Sequence, residues 1–309
     1  MLQSSMFKFT LIGKLVSIVS WLRVISWVLT SRGIDTHGPE EVKKALIFYH
    51  FTKKREIIEL EHFWRFLDDV LSNIWPKEIC LDLVRVGPRG DAGYTIAFLE
   101  KYDLILSGGA GKNIDFEIYF ADNGSQVHVF DPFVRNLPLK HEKIKHHRIL
   151  LQGRDSSNNS HQKTLSHAES FVNLDSSQIN LLKLDIEGSE LDLLGLQDLS
   201  LSHYDQIVIE VHDTFKIIDL DYRQRFNRML SNLLKNHHVI YFSTNNNGLT
   251  LTYGTYFLPE VFEITLLHHK YFPATDVKKV KFTDAMQTDN NNPQRIAALN
   301  IFSIPPLKL

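Results

Sequence analysis

Carboxylates and one imidazole stand at the ends of two apolar runs in the second half of this chain. Leu181, Leu182 and Leu184 lead into Asp185, Glu187 and Glu190, within LLKLDIEGSELDLLGL at 181–196. QIVIEVHD at 206–213 delivers Glu210, His212 and Asp213 in the same way. An imidazole near a carboxylate can take or give a proton close to neutral pH. Acids this close raise one another's pKa when buried together, so they need donors, a cation or water. Acids at a helix start, favoured by the helix dipole, explain the first group without any chemistry. A hydrogen-bonded histidine at a strand end does the same for His212.

A second stretch supplies a place for a ligand. Ile105 to Asp131 reads ILSGGAGKNIDFEIYFADNGSQVHVFD: an apolar strand, a turn of small residues, a helix, a strand and an acid. Gly109 and Gly111 let backbone approach a ligand and tolerate positive φ. Asn113 is placed to cap the helix and Gly124 to end it. Phe116 and Phe120 fall one turn apart on a single helix face. An acid about 20 residues after such glycines accepts hydrogen bonds from a ribose diol, and Asp131 holds that position. A nicotinamide dinucleotide and S-adenosylmethionine (SAM) both fit this unit. Position 114 is Ile, where the dinucleotide fingerprint has Gly or Ala.

The apolar pattern predicts the elements that hold these groups. The acid-bearing runs read as parallel strands buried on both faces. In open α/β sheets ligands bind outside the carboxyl ends of such strands. Two apolar runs between 79 and 98 flank GPRGDAGY and predict a β-hairpin that brings Asp91 and Tyr94 near the glycine turn. Tyr222, Phe226, Met229, Leu230, Leu233 and Leu234 mark an amphipathic helix. Val239 to Ser243 and Thr250 to Leu258, joined through NNNG, read as a terminal antiparallel hairpin, with Glu263 to Leu267 continuing its second strand. That ending is unlike the all-parallel dinucleotide fold and favours SAM. Helical periodicity also runs from Pro39 to Trp75, where Pro76 stops it.

The chain of 309 residues has a net charge of -2 and is 43% hydrophobic. This suits one large domain with a smaller appendage, and the lack of a basic excess argues against a nucleic-acid partner. Cys80 is the only cysteine, which rules out an internal disulfide and a cysteine-based zinc cluster. Its apolar surroundings predict a buried, inert thiol. Residues 1–34 carry Lys8, Lys14, Arg23 and Arg32 beside an apolar stripe through Leu11, Leu15, Ile18, Leu22, Ile25 and Leu29. Lys14 and Arg23 interrupt any transmembrane span. Trp21 and Trp27 suit a membrane interface, so the segment reads as an interfacial or anchor helix, or one packed on its own domain. The expected location is cytoplasmic, or membrane-associated through this helix.

LKLDIEGSE at 182–190 resembles the K-[IL]-D-[IV]-E-G-x-E signature of FkbM-type SAM-dependent methyltransferases. VGPRGDAGY at 86–94 resembles the V-G-x-x-x-D-G-G-Y of a related group of methyltransferase-like proteins, with Ala92 in place of the first glycine of the pair. In that group an S-x-G-x-G turn and an F-E pair follow, as Ser107, Gly109, Gly111, Phe116 and Glu117 do here. The resemblance covers roughly 82–267. It implies a class I methyltransferase fold: a Rossmann-like α/β domain whose seven-stranded sheet ends in an antiparallel hairpin, with N-terminal helices added. It implies SAM as cofactor, held by Ser107, Gly109, Gly111, Glu117, Asp131 and Asp185. It also implies methylation of a hydroxyl on a small-molecule or glycan acceptor, with Asp185 and His212 as the candidate bases. No metal is assigned, although Asp185, Glu187 and Glu210 offer oxygen ligands that suit Mg²⁺.

The expected boundaries are 1–34 for the membrane-proximal or anchor helix and 35–78 for a helical extension. The methyltransferase domain takes 79–285 and a tail 286–309. The alternative function is a non-catalytic SAM- or nucleotide-binding module recruited to a membrane or partner.

Overall fold

Burial on both faces governs the central strands, and it decides which strands pair. The computed structural model describes residues 60–154, 161–172, 174–175, 177–245, 250–253, 256–273 and 277–279. The expectations for residues 1–34, for the helix before Leu60 and for the tail lie outside these residues. Among the described residues no helix is long and apolar enough to cross a membrane.

Among the described residues the first element is α1 (Leu60–Ile74), followed by β1 (Leu83–Val86), β2 (Tyr94–Ala97), β3 (Leu104–Gly108), α2 (Asp115–Asp122), β4 (Gln126–Phe130) and β5 (Ile144–His147). It continues with β6 (Leu150–Leu151), β7 (Gln162–Lys163), α3 (Leu165–Glu169), β8 (Asn180–Leu184), α4 (Glu190–Leu194), β9 (Gln206–Val211) and α5 (Leu220–Leu234). The last strands are β10 (His237–Thr244), β11 (Thr250–Tyr253), β12 (Tyr256–Pro259) and β13 (Phe262–His268). Seven of them form one sheet in the order β10-β13-β9-β8-β3-β4-β5. The strands from β5 to β9 run parallel, and β13 is antiparallel to both β9 and β10. Every residue of β3, β8 and β9 is buried, as expected of parallel strands covered on both faces.

The predicted hairpin between 239–243 and 250–258 does not form. β10 pairs with β13, placing Ser243 opposite Glu263, while β11 pairs with β12 as a separate ribbon. β13 is buried from Phe262 to Leu267, and it can bury that apolar run only inside the main sheet. The longer loop this requires costs little, because closure entropy grows slowly with length.

The hairpin of β1 and β2 forms as expected, with Val86 opposite Tyr94. It is tied to the main sheet by Gln206 Oε1, which accepts from the Ala97 N–H at 2.7 Å. Edge-on aromatic contacts link Tyr94 to Phe116 at 5.2 Å and Phe116 to Phe120 at 5.0 Å. The hairpin is thereby fixed against α2, each pair adding about 0.5–1.5 kcal/mol. Asn113 Oδ1 accepts from Asp115 N at 2.8 Å, at the entrance of α2. Gly124, at φ +99°, ends that helix as expected.

Cys80 is exposed, contrary to expectation. It lies at a bend before β1, exposed between Ile79 and Leu81, which pack against the core.

Candidate functional site

The glycine turn follows β3 and is pinned between its two neighbours. Asp185 N–H donates to the Gly108 carbonyl at 2.9 Å, and Gly109 N–H donates to the Phe130 carbonyl at 2.9 Å. Gly109 has φ +74°, and a Cβ there would overlap the Asp185 carbonyl oxygen. Glycine is therefore imposed at 109 by the fold itself. Gly111 has φ +56°, and a Cβ there would meet nothing within 4 Å. Its backbone faces open space at the carboxyl rim of the sheet.

Asp131, directly after β4, clamps this turn. Its Oδ2 accepts from Ala110 N at 3.0 Å and Gly111 N at 3.1 Å. Its Oδ1 accepts from Phe133 N at 2.8 Å and Val134 N at 3.0 Å. Burial pushes this carboxyl upward, but the backbone donors outweigh it and hold the group below the usual range. A carboxylate has about four lone-pair sites, so the oxygens expected to meet a ribose are already engaged by the turn.

Ser107 and Glu117 were expected to contact the cofactor, and the structure turns them elsewhere. Both are buried, and Ser107 Oγ donates to Glu117 Oε1 at 2.6 Å. With no accessible surface to offer a ligand, the pair braces β3 against α2 from beneath. Burial raises the Glu117 carboxyl, consistent with a structural role.

The second group gathers where β8 and β9 end. Tyr94 Oη donates to Asp185 Oδ2 at 2.6 Å. Lys183, buried, has its Nζ 3.8 Å from Asp185 Oδ2 and donates to the Gly109 carbonyl. That ammonium thus links the glycine turn to the acid. His212 Nδ1 is 3.0 Å from Glu190 Oε1, and Glu190 also accepts from Ile186 N at 3.1 Å. His212 Nε2 faces Asp185 Oδ1 at 3.9 Å, Glu187 Oε2 at 3.7 Å and Glu210 Oε2 at 3.7 Å. Asn245 Nδ2 holds the other oxygen of Glu210. Asp91 lies within electrostatic reach of Glu187, and the Tyr94 bond to Asp185 brings β2 to this rim.

The electrostatics divide these groups sharply. Burial lowers the His212 imidazole, but the hydrogen bond and charge of Glu190, with Asp185 and Glu187, lift it to about 9. Burial raises Asp185, yet Lys183, Glu210 and Tyr94 together hold it below its ordinary value. Burial, then Asp185 and Glu263, push Glu210 well up.

Sequence reasoning placed Gly109, Gly111, Asp131, Asp185 and His212 at one rim, and the structure brings them there. It missed Lys183, Asn245 and Glu263 as supporting groups. Lys183 carried a signal: a lysine inside an otherwise apolar strand must find a partner.

Residues 99–240 match the sequence profile described as "Methyltransferase FkbM domain". The chain is 30% identical over 147 residues to "Probable methyltransferase-like protein 24" of Homo sapiens, covering 44% of this chain and 38% of that protein. The Rattus norvegicus protein of the same description is 30% identical over 118 residues, covering 35% and 32%. These matches span less than two-fifths of either relative. The mostly parallel sheet of seven strands with antiparallel β13 has class I methyltransferase architecture, residues 99–240 within it match a methyltransferase FkbM domain, and the chain is distantly similar to methyltransferase-like protein 24.

Proposed function

We propose that this domain transfers a methyl group from SAM to a hydroxyl of a small-molecule or glycan acceptor. The observation that carries the reading is the open backbone of Gly111 beside Asp131, within one lysine's reach of Asp185. The turn from Gly109 to Gly111 would hold the cofactor, with Asp131 fixing the shape of the turn. When bound, SAM supplies a methyl group already activated by its sulfonium, so rate depends largely on placing the acceptor.

Asp185 is the group that orients the acceptor. Ionised and steadied by Tyr94 and Lys183, it can accept a hydrogen bond from the incoming hydroxyl. His212 takes a different part from the base expected of it. At about 9 its imidazole carries a proton at neutral pH, so there it supplies positive charge to a developing alkoxide. Removing a proton from the acceptor falls to a carboxylate of this cluster. We extend the reading to location: residues 1–34 bring the domain to a membrane surface.

Calorimetric titration of the full chain with SAM tests the reading. Binding that Gly111→Val abolishes is the expected result, and absence of SAM binding overturns it. Transfer of a labelled methyl group to hydroxyl compounds from an extract then tests catalysis. Binding without any transfer would favour the non-catalytic module. Flotation with anionic vesicles, with and without residues 1–34, tests the membrane contact.

A further inference from the structure

We propose that Asp185, Glu187 and His212 form a site for one divalent cation of the Mg²⁺ and Mn²⁺ class, with Glu210 at its edge. Its use in catalysis rests on the methyltransferase reading; the binding itself does not.

The geometry comes first. One ligand atom from each of Asp185, Glu187 and His212 lies within 4.8 Å of the others. His212 Nε2 stands 3.7 to 3.9 Å from three carboxylate oxygens. These gaps are too long for hydrogen bonds, which run to about 3.2 Å for N–H···O. They suit atoms sharing an ion: ligands at about 2.0–2.2 Å from a common cation sit roughly 3–4.3 Å apart.

His212, Asp185 and Glu210 are each held from behind. Glu190 engages His212 Nδ1 at 3.0 Å, and Tyr94 engages Asp185 Oδ2 at 2.6 Å. Asn245 engages Glu210 Oε1. Metal-binding imidazoles commonly give their second nitrogen to a carboxylate in this way, which fixes the ring. The ion displaces the Nε2 proton to solvent, and its charge then replaces that of the imidazolium in the metal-free site.

An independent observation concerns charge. Glu190 is fully buried, and its Oε2 has no hydrogen-bond partner among the described residues. A carboxylate left half-satisfied behind the imidazole is costly, and a cation in front of the ring offsets that cost. Among the described residues the basic groups paired with Asp185, Glu187, Glu190 and Glu210 are Lys183 and His212. The oxygen-rich set suits Mg²⁺ or Mn²⁺, and the single imidazole favours Mn²⁺. A cation there would lower the pKa of an acceptor hydroxyl.

Electron paramagnetic resonance of Mn²⁺, titrated into the metal-free full chain without SAM, tests the site. One bound Mn²⁺ per chain is expected, with imidazole nitrogen coupling in pulsed spectra. Glu187→Ala should weaken binding at least tenfold; its side chain is 85% exposed, so the fold is not at stake. His212→Gln should remove the nitrogen coupling, and Asp122→Ala, outside the cluster, should change nothing. Absence of bound Mn²⁺ at 1 mM, on the order of the weakest dedicated cation sites, overturns the proposal. So does wild-type affinity in both Glu187→Ala and His212→Gln. A parallel SAM titration separates the two readings. SAM binding without Mn²⁺ sinks the cation site alone, and Mn²⁺ binding without SAM sinks the methyltransferase reading alone.

Discussion

The Tyr94 hydroxyl donates to Asp185 Oδ2 across 91 positions of sequence, at 2.6 Å. Burial, followed by the nearby Asp185 charge, raises the phenol well above its ordinary value, so it remains a donor throughout the physiological range. Hydrogen bonds to charged groups contribute about 1.5–3 kcal/mol. Tyr94→Phe should therefore slow methyl transfer about 10- to 100-fold, with SAM affinity and circular dichroism preserved. Asp185 also loses a group that lowers its pKa, so the acidic limb of the kcat/KM profile should move to higher pH. An unmoved limb would show that Asp185 is not the group titrating there.

The two glycines of the turn should respond differently to the same change. Gly109→Ala places a methyl on the Asp185 carbonyl, and should cost roughly 4 kcal/mol or more, as a backbone clash in a packed region does. Gly111→Ala meets no neighbour and should cost about 1–2 kcal/mol from its left-handed backbone alone. Urea midpoints measure both. Equal losses would contradict the packing described for Gly109.

Ala92 adopts φ +64°, a left-handed conformation that glycine takes at less cost. Ala92→Gly should relieve strain and raise stability by about 1 kcal/mol. A lowered urea midpoint would show that the alanine methyl contributes more through packing than it costs in strain.

Stability should peak near neutral pH in metal-free buffer. Burial lowers His237 to about 4 and His128 to about 4. The unfolded chain protonates both near 6.5, so the stability present above that pH is lost as pH falls toward 4. His237 alone accounts for about 3 kcal/mol. His212 acts in the opposite sense. Raised to about 9, it stabilises fully below 6.5, and its contribution disappears as pH rises through 9. Urea midpoints between pH 4.5 and 9.5 should fall on both sides, and His212→Gln should flatten the alkaline side only.

The central strands were legible in the sequence from their patterning. Leu181, Leu182 and Leu184, like Ile207, Val208, Ile209 and Val211, put apolar side chains on both faces, as strands covered on both sides do. The placement of Asp131, Asp185 and His212 followed from strand ends alone. Side-chain direction did not follow. Whether Asp131 meets a ligand or its own turn depends on four backbone donors whose positions no spacing rule encodes. Ser107 and Glu117 fit a motif yet bond to each other inside the core, because residue type does not say where a side chain points. The β10–β13 pairing was hidden for another reason: a nearby loop rich in asparagine gave a local hairpin signal, and a distant apolar strand outcompeted it.

β13 sits between β9 and β10, yet it is the last of the sheet's strands to leave the ribosome. Until Phe262 to His268 emerge, the two strands that will flank it each present an unpaired edge, the feature that invites association between chains. Both edges are covered only when β13 inserts between them. A chain cut before Phe262 should collect in the insoluble fraction instead of forming a smaller domain, however intact the glycine turn upstream.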